Sequence, residues 1–250
     1  MIIIGNIGGK IMIINVHAGH NPDGKKACGA IGLIKESTEA RNVKNEVIRL
    51  LQLLGHEVHD CTVNDGSNQA DVLTKIVKKC NERTVDLDVS IHFNSGANDK
   101  TGNGKSTGTE VDCYSTSSKS VAYAKKTVDA IAQMGFKNRG VKYNSNLYVL
   151  KKTQSPAMLV ECCFVDDADD IRLYDAASMA KAIVYGITGQ TYVEPSVPVD
   201  AEAEPQVAET TQGNADTIYR VQVGSFKNKE NAEKLKADLI KAGFQAYIAK

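Results

Sequence analysis

The six cysteines contain no C-x-x-C pair, no apolar run is long enough to span a bilayer, and the chain has no net charge, its 30 Lys and Arg matching 30 Asp and Glu. In a chain of 250 residues the cysteine pattern argues against a disulfide framework, so Cys28, Cys61, Cys80, Cys113, Cys162 and Cys163 are read as reduced and mostly buried. The lack of a long apolar run leaves no membrane-spanning segment to expect. The charge balance gives no electrostatic reason for a nucleic acid or an anionic membrane as partner. The opening MIIIGNIGGKIMIIN has neither a basic leader nor a small-residue cleavage site, so no signal peptide is expected and synthesis in the cytoplasm is. Met12 would serve equally well as a start, because Met1 to Gly9 adds nothing the first strand needs.

What is present is an alternation of strand and helix patterns. Lys10 to Val16 is an apolar run of strand length, followed by the loop HAGHNPDGKKACGAIG. A helix follows, with Val43, Val47, Leu50, Leu51 and Leu54 on one stripe, Ser37 as its expected cap and Gly55 as its stop. Glu57 to Cys61 reads as a second strand. Ser67 is the expected cap of a helix bearing Ala70, Leu73, Ile76, Val77 and Cys80, and Leu87 to Phe93 is the next strand. Thr109 to Tyr114 then precedes a helix on Val121, Ala124, Val128 and Ile131 that ends at Gly135. Ala157 to Val165 leads to a last helix near Ser178 to Ile187. This predicts an α/β fold over residues 11–190, a twisted, largely parallel sheet with helices on both faces, whose ligands gather at the carboxyl ends of the strands.

That rule directs attention to His20, just past the first strand, to His92 at the end of the third, and to Glu161 near the end of the last. Glu36, opening the first helix, completes a set of two histidines and a carboxylate suited to Zn2+, leaving Glu161 as general base. Each has a plainer reading. His20 in a Gly-rich loop could be solvated, and Glu36 could serve only the helix dipole. Glu161 is harder to dismiss, because a carboxylate within AMLVECCFV is costly to bury without a partner. His56 and His59 read as surface or satisfied core residues, while His17 stays as an alternative ligand or a support for one.

The segment GNGKSTG, Gly102 to Gly108, imitates a phosphate-binding loop, but Asp99 stands where the first glycine of that pattern belongs and a strand rather than a helix follows. Residues 94–108 are instead expected to form a flexible loop at the rim of the site.

Taken in order, HAGHN, GLIKE, VSIHFNS and MLVECCFV resemble the motifs of the type 3 N-acetylmuramoyl-L-alanine amidases, over roughly residues 11–190. The resemblance implies one Zn2+ per catalytic domain, held by His20, Glu36 and His92, with Glu161 as the catalytic carboxylate. It implies as substrate the amide between the lactyl group of N-acetylmuramic acid and L-alanine in bacterial peptidoglycan. His17 and Ala18 depart from the Asp and Pro of the family's first motif, which puts the bracing of that loop in question. A zinc peptidase cutting the stem peptide, or a wall-binding protein without catalysis, are the alternative readings.

Beyond residue 190 the composition changes. Residues 191–216 hold three of the five prolines and several acids without an apolar period, as expected of a flexible linker. In residues 217–250, YRVQVGSF and AEKLKADLIKAGFQAYI resemble the first half of a SPOR domain, a partial ferredoxin-like βαβ unit. That resemblance implies binding to glycan strands lacking stem peptides, and a unit so short is expected to self-associate or stay mobile. Together these features suggest a phage endolysin or sporulation autolysin reaching the wall through lysis.

Overall fold

A computed structural model describes residues 10–192 and, beyond them, Glu233, Leu235, Lys236 and Ile248. The chain divides into two compact units, Met1–Pro195 and Ser196–Lys250. In the second, Glu233, Leu235 and Lys236 are helical. Met1 to Gly9, most of the expected linker and the rest of the strand–helix–strand unit lie outside the described residues.

The first unit runs β1 (Ile13–Ala18), α1 (Glu36–Leu53), β2 (Glu57–Asp60), α2 (Gln69–Cys80), β3 (Leu87–Asn94), β4 (Thr109–Cys113), α3 (Val121–Ala132), β5 (Asn138–Tyr143), α4 (Tyr148–Lys152), β6 (Ala157–Phe164), α5 (Ala168–Leu173) and α6 (Ala176–Thr188). Its strands form one sheet in the order β2-β1-β3-β6-β4-β5. Four strands, β1, β2, β3 and β6, run in parallel, while β4 is antiparallel to β6 and carries β5 parallel to itself. The reversal has a simple cause. No helix lies between Asn94 and Thr109, so the chain cannot return to the far end of the sheet, and β4 starts where β3 stopped. The amino ends of β4 and β5 thereby join the carboxyl ends of β1, β3 and β6 at one edge.

The two faces of the sheet differ in chemistry. Ile14 and Val16 of β1, Val89, Ile91 and Phe93 of β3, and Met158, Val160 and Cys162 of β6 belong to the main apolar core with α1, α3 and α6. The alternate residues form the opposite face. There the pairing places Asn15 beside Asp88, His17 beside Ser90, and His92 beside Glu161. Smaller apolar clusters around Cys61, Ile76, Cys80 and Val149, and around Leu150 and Leu159, cover this second face from α2 and α4.

Several helix ends differ from expectation. The first helix opens at Glu36 with Lys35 as its cap residue and no side-chain cap bond, and Ser37 is already buried inside it. Two acids in the first turn, Glu36 and Glu39, complement the dipole there instead. For α2 the cap is Asn68, whose Oδ1 accepts from the Asp71 amide at 3.0 Å, while the Ser67 amide donates to Asp71 Oδ2. Gly55, at φ 86°, follows α1 in the left-handed conformation that glycine adopts without penalty.

Residues 94–108 are not the loose rim expected from sequence. Asp166 accepts backbone hydrogen bonds from Gly96, Ala97 and Asn98, Asp169 from Asn103, Gly104 and Lys105, and Asp167 from Thr107. Asp170 takes the Gly108 amide and the Ser106 hydroxyl, the latter at 2.5 Å. The run Asp166-Asp167-Ala168-Asp169-Asp170 thus supplies acceptors for a loop whose own residues offer many unpaired amides. The amides of Gly104 and Lys105, which a phosphate would need, are occupied by a carboxylate.

Candidate metal and catalytic site

Glu36 is the centre of the site. Its Oε1 lies 2.9 Å from His92 Nδ1 and 3.2 Å from His20 Nε2, and the His20 and His92 rings stand nearly edge to face with centroids 5.0 Å apart. These three residues form a group whose ligand atoms lie within 4.8 Å of one another. Each arrives from a different element: His20 from the turn after β1, Glu36 from the first residue of α1, His92 from β3.

The local backbone explains why these groups converge. His20 has φ 65°, and its carbonyl accepts from Arg41 Nη2 at 2.9 Å, one helical stretch beyond Glu36. Asn21 bonds Ala27, Lys26 and Gly66, closing the loop on itself and onto the turn before α2. The Ala30 amide donates to Glu36 Oε2 at 2.7 Å and fixes the carboxylate. A Cβ at Gly19 would run into the His92 imidazole, and one at Gly29, φ 79°, would meet both Glu36 Oε2 and His20. Glycine at both positions leaves the space in which the three donors face one another.

The donor set fits a borderline divalent cation. Two imidazole nitrogens and one carboxylate are ligands that zinc accepts, with coordination positions left for water or substrate. Burial alone would raise the Glu36 pKa, yet hydrogen bonds from His20 and His92, and their charge, hold it well below the usual carboxylate range. Glu36 is an anion here.

Glu161 pairs directly with His92 in the parallel register of β3 and β6, and Glu110 of β4 pairs with Glu161 on its other side. Its Oε2 is enclosed and without a hydrogen-bond partner among the described residues. Burial first, and then the charges of Glu36, Asp112 and Glu110, push its pKa well above the carboxylate norm. Glu110 is itself held by Arg139, 2.7 Å away, and by the Asn94 side-chain amide at 2.9 Å.

The remaining histidines stay apart. His17 does not join the metal group: it is fully buried, its Nδ1 is 3.8 Å from Cys80 Sγ, and burial drives its pKa down to about 3, so it is neutral. The reading of His17 as an alternative ligand is therefore corrected. It points into the layer between sheet and α2. His56 accepts the Met12 amide at 3.2 Å, and His59 lies 2.9 Å from Glu57. A second acidic group, Asp99, Asp167 and Asp169, also converges. Loop amides fill most of its acceptor positions, and Arg172 pairs with Asp169.

Sequence reasoning missed Arg41, Asn21, Gly19, Gly29, Glu110 and Arg139. The four aspartates after β6 stand out in the sequence, but nothing near them points to the loop they hold. Arg41 had no signal, because apart from Ser37, four residues back, its acceptors lie some twenty residues away on either side.

Fold and site together define an α/β domain with a two-histidine, one-carboxylate centre able to hold a metal ion at its strand ends. A family model described as N-acetylmuramoyl-L-alanine amidase matches residues 11–189, so the chain belongs to that family, and a SPOR domain model matches residues 215–250. An uncharacterized protein of Clostridium perfringens strain 13 is 41% identical over 164 residues, covering 65% of this chain and 47% of that one. A sporulation-specific N-acetylmuramoyl-L-alanine amidase of Bacillus subtilis is 26% identical over 184 residues, covering 73% of this chain and 64% of that one. The chain thus spans about half to two thirds of the length of these relatives. Among solved structures, the catalytic domain of an endolysin targeting Clostridia difficile aligns with TM-score 0.64 at 25% identity, covering 73% of this chain and 99% of that one.

Proposed function

We propose that the first unit is a zinc-dependent amidase that hydrolyses the bond between N-acetylmuramic acid and L-alanine in bacterial peptidoglycan. The observation that carries this reading is the His20–Glu36–His92 group with an enclosed Glu161 oxygen, unpartnered among the described residues, on the neighbouring strand. When bound, zinc supplies a Lewis acid that makes water acidic near neutral pH and polarises a carbonyl. His20, Glu36 and His92 hold the ion. Glu161 takes the proton of the attacking water and returns it to the departing alanine nitrogen, a task suited to a carboxyl whose pKa burial has raised. Asn94 and Arg139 fix Glu110 beside it, so that Glu161 keeps its place opposite His92.

On this reading the second unit, through its SPOR match, binds glycan strands from which stem peptides have gone, and so keeps the enzyme near its own product. Self-association through that unit is a further part of the proposal, to be read by light scattering. Likeness to an endolysin catalytic domain and to a sporulation-specific amidase supports action as a phage endolysin or sporulation autolysin, reaching the wall when the cell lyses. Mass spectrometry of digested peptidoglycan tests the bond. The amidase frees stem peptides with an alanine amino terminus and leaves intact glycan. A peptidase would leave alanine on muramic acid, and a wall-binding protein would release nothing.

A further inference from the structure

Beside the His20 loop, where the carboxyl end of β2 passes between α1 and α2, lies an open cleft of about 420 Å³. Arg41, Lys44, Asp60, Thr62, Asn64 and Lys79 line it. Asp60 is the one acid in that lining, and Lys44 neutralises it at 2.6 Å. Two cations remain. Arg41 gives its hydrogen bonds to the carbonyls of Ser37, His20 and Val63 and to the Asn64 side chain, and Lys79 gives one at 2.7 Å to the Thr62 carbonyl. Every one of these acceptors is uncharged. Asp60 also acts on Arg41 through its charge, but among the described residues the hydrogen-bond partners of Arg41 and Lys79 are neutral, so the lining keeps an excess of positive charge, three cations to one acid, that attracts an anion and binds it through charge-assisted hydrogen bonds.

The cleft also stands at a useful distance from the chemistry. Arg41 and Lys44 follow Glu36 by five and eight residues along α1, which at 1.5 Å per residue places them about 8 and about 12 Å from the metal group along the helix axis. Arg41 touches both places, since it lines the cleft while its Nη2 holds the His20 carbonyl. We propose that this cleft is an anion-binding subsite that takes a carboxylate or phosphate group of the cell wall while an amide occupies the His20–Glu36–His92 centre. Stem peptides carry free carboxylates and wall polymers carry phosphates. The source of the anion rests on the amidase reading, whereas the presence of the subsite does not.

Two experiments on the full chain separate these. Inorganic phosphate is titrated against the protein while backbone amide resonances are followed by NMR. Saturable shifts confined to Thr62, Asn64 and Lys79 are expected in the wild type and in Lys79→Arg, and their loss is expected in Lys79→Glu. An absence of saturable shifts at these residues in the wild type overturns the subsite, whether or not the protein is an amidase. Hydrolysis is then measured on peptidoglycan stripped of phosphate polymer, with stem carboxylates free or amidated, and on unstripped walls. Lys79→Glu is expected to raise KM roughly fivefold without a matching fall in kcat. Lys151→Glu, an equal charge change at the opposite end of β6, serves as the control and leaves KM alone. An effect on stripped, free-carboxylate substrate identifies the stem peptide, and one confined to unstripped walls identifies polymer phosphate. Equal KM for Lys79→Glu and wild type on all substrates removes the subsite from catalysis. A wild type inactive on all of them defeats the amidase reading, while the phosphate titration still decides the site.

Discussion

His92 and Glu161 are partners in the β3–β6 register, so an imidazole of the candidate metal group and a carboxyl oxygen without a partner among the described residues rise side by side from adjacent strands. The pairing of the two strands therefore sets the spacing between His92 and Glu161, the proposed ligand and base. Loop flexibility plays no part in it.

Replacing Glu161 by Gln keeps its shape and removes its basicity. Turnover is expected to fall by about 10²- to 10⁴-fold with metal content retained at one ion per chain. His92→Ala is expected to lose both activity and metal. Metal analysis beside hydrolysis rates separates the two, and a Gln variant at wild-type speed would remove Glu161 from its role.

Gly19→Ala tests the space around the centre. Its Cβ would strike the His92 ring, so zinc affinity is expected to drop by at least about tenfold, the scale on which misplaced supports weaken metal sites. Global stability without metal should change little. Competition with a chromogenic chelator measures the first, and urea unfolding in a chelating buffer the second. An unchanged affinity would mean that the loop yields without consequence.

Asp88 predicts a pH dependence. It is almost wholly buried, one oxygen is bonded by Asn15 at 2.7 Å while the other has no partner among the described residues, and burial raises its pKa to about 6. The folded state therefore holds a proton that the unfolded state releases near 3.8. The stability linked to this proton is complete below pH 3.8 and is lost as pH rises through about 6. Asp88→Asn keeps the bond from Asn15 and cannot ionise, so at pH 7.5 it is expected to be more stable by about 1 to 3 kcal/mol, with the advantage vanishing near pH 4. Denaturant midpoints at the two pH values provide the comparison.

Asp166→Ala removes the acceptor of three consecutive loop amides. A loss of roughly 2 to 4 kcal/mol in stability is expected, together with new trypsin cleavage after Lys100 or Lys105. Were the loop to remain resistant to trypsin, its bonds to Asp167, Asp169 and Asp170 would be sufficient alone.

The centre itself was legible in the sequence for definite reasons. His20 and His92 stand beside apolar runs of strand length, Glu36 begins a clear amphipathic stripe, and Glu161 interrupts an apolar run that tolerates no idle charge. Other features were not. Strand β5, Asn-Arg-Gly-Val-Lys-Tyr, is an edge strand with little apolar periodicity, and α4 is too short for a helical period to register. The reversed direction of β4 depends on what the preceding fourteen residues omit, a helix. Ser37 and Ser67 are good cap residues by type, but α1 already opens at Glu36, whose carboxylate meets His20 and His92, and Asn68 lies one position closer to α2. The four aspartates find their partners some sixty to seventy residues back, a separation at which local pattern is silent.

The alternation along β3 has one more effect. Asp88, Ser90 and His92 face one way, and Val89, Ile91 and Phe93 the other. An off-by-one pairing would press an acid and an imidazole into the apolar layer and offer hydrocarbon to the candidate metal group. Such a molecule fails as a folded body and as a catalyst in the same step. Turnover therefore acts as a proofreader of registration: a preparation containing slipped chains would show fewer working molecules rather than slower ones.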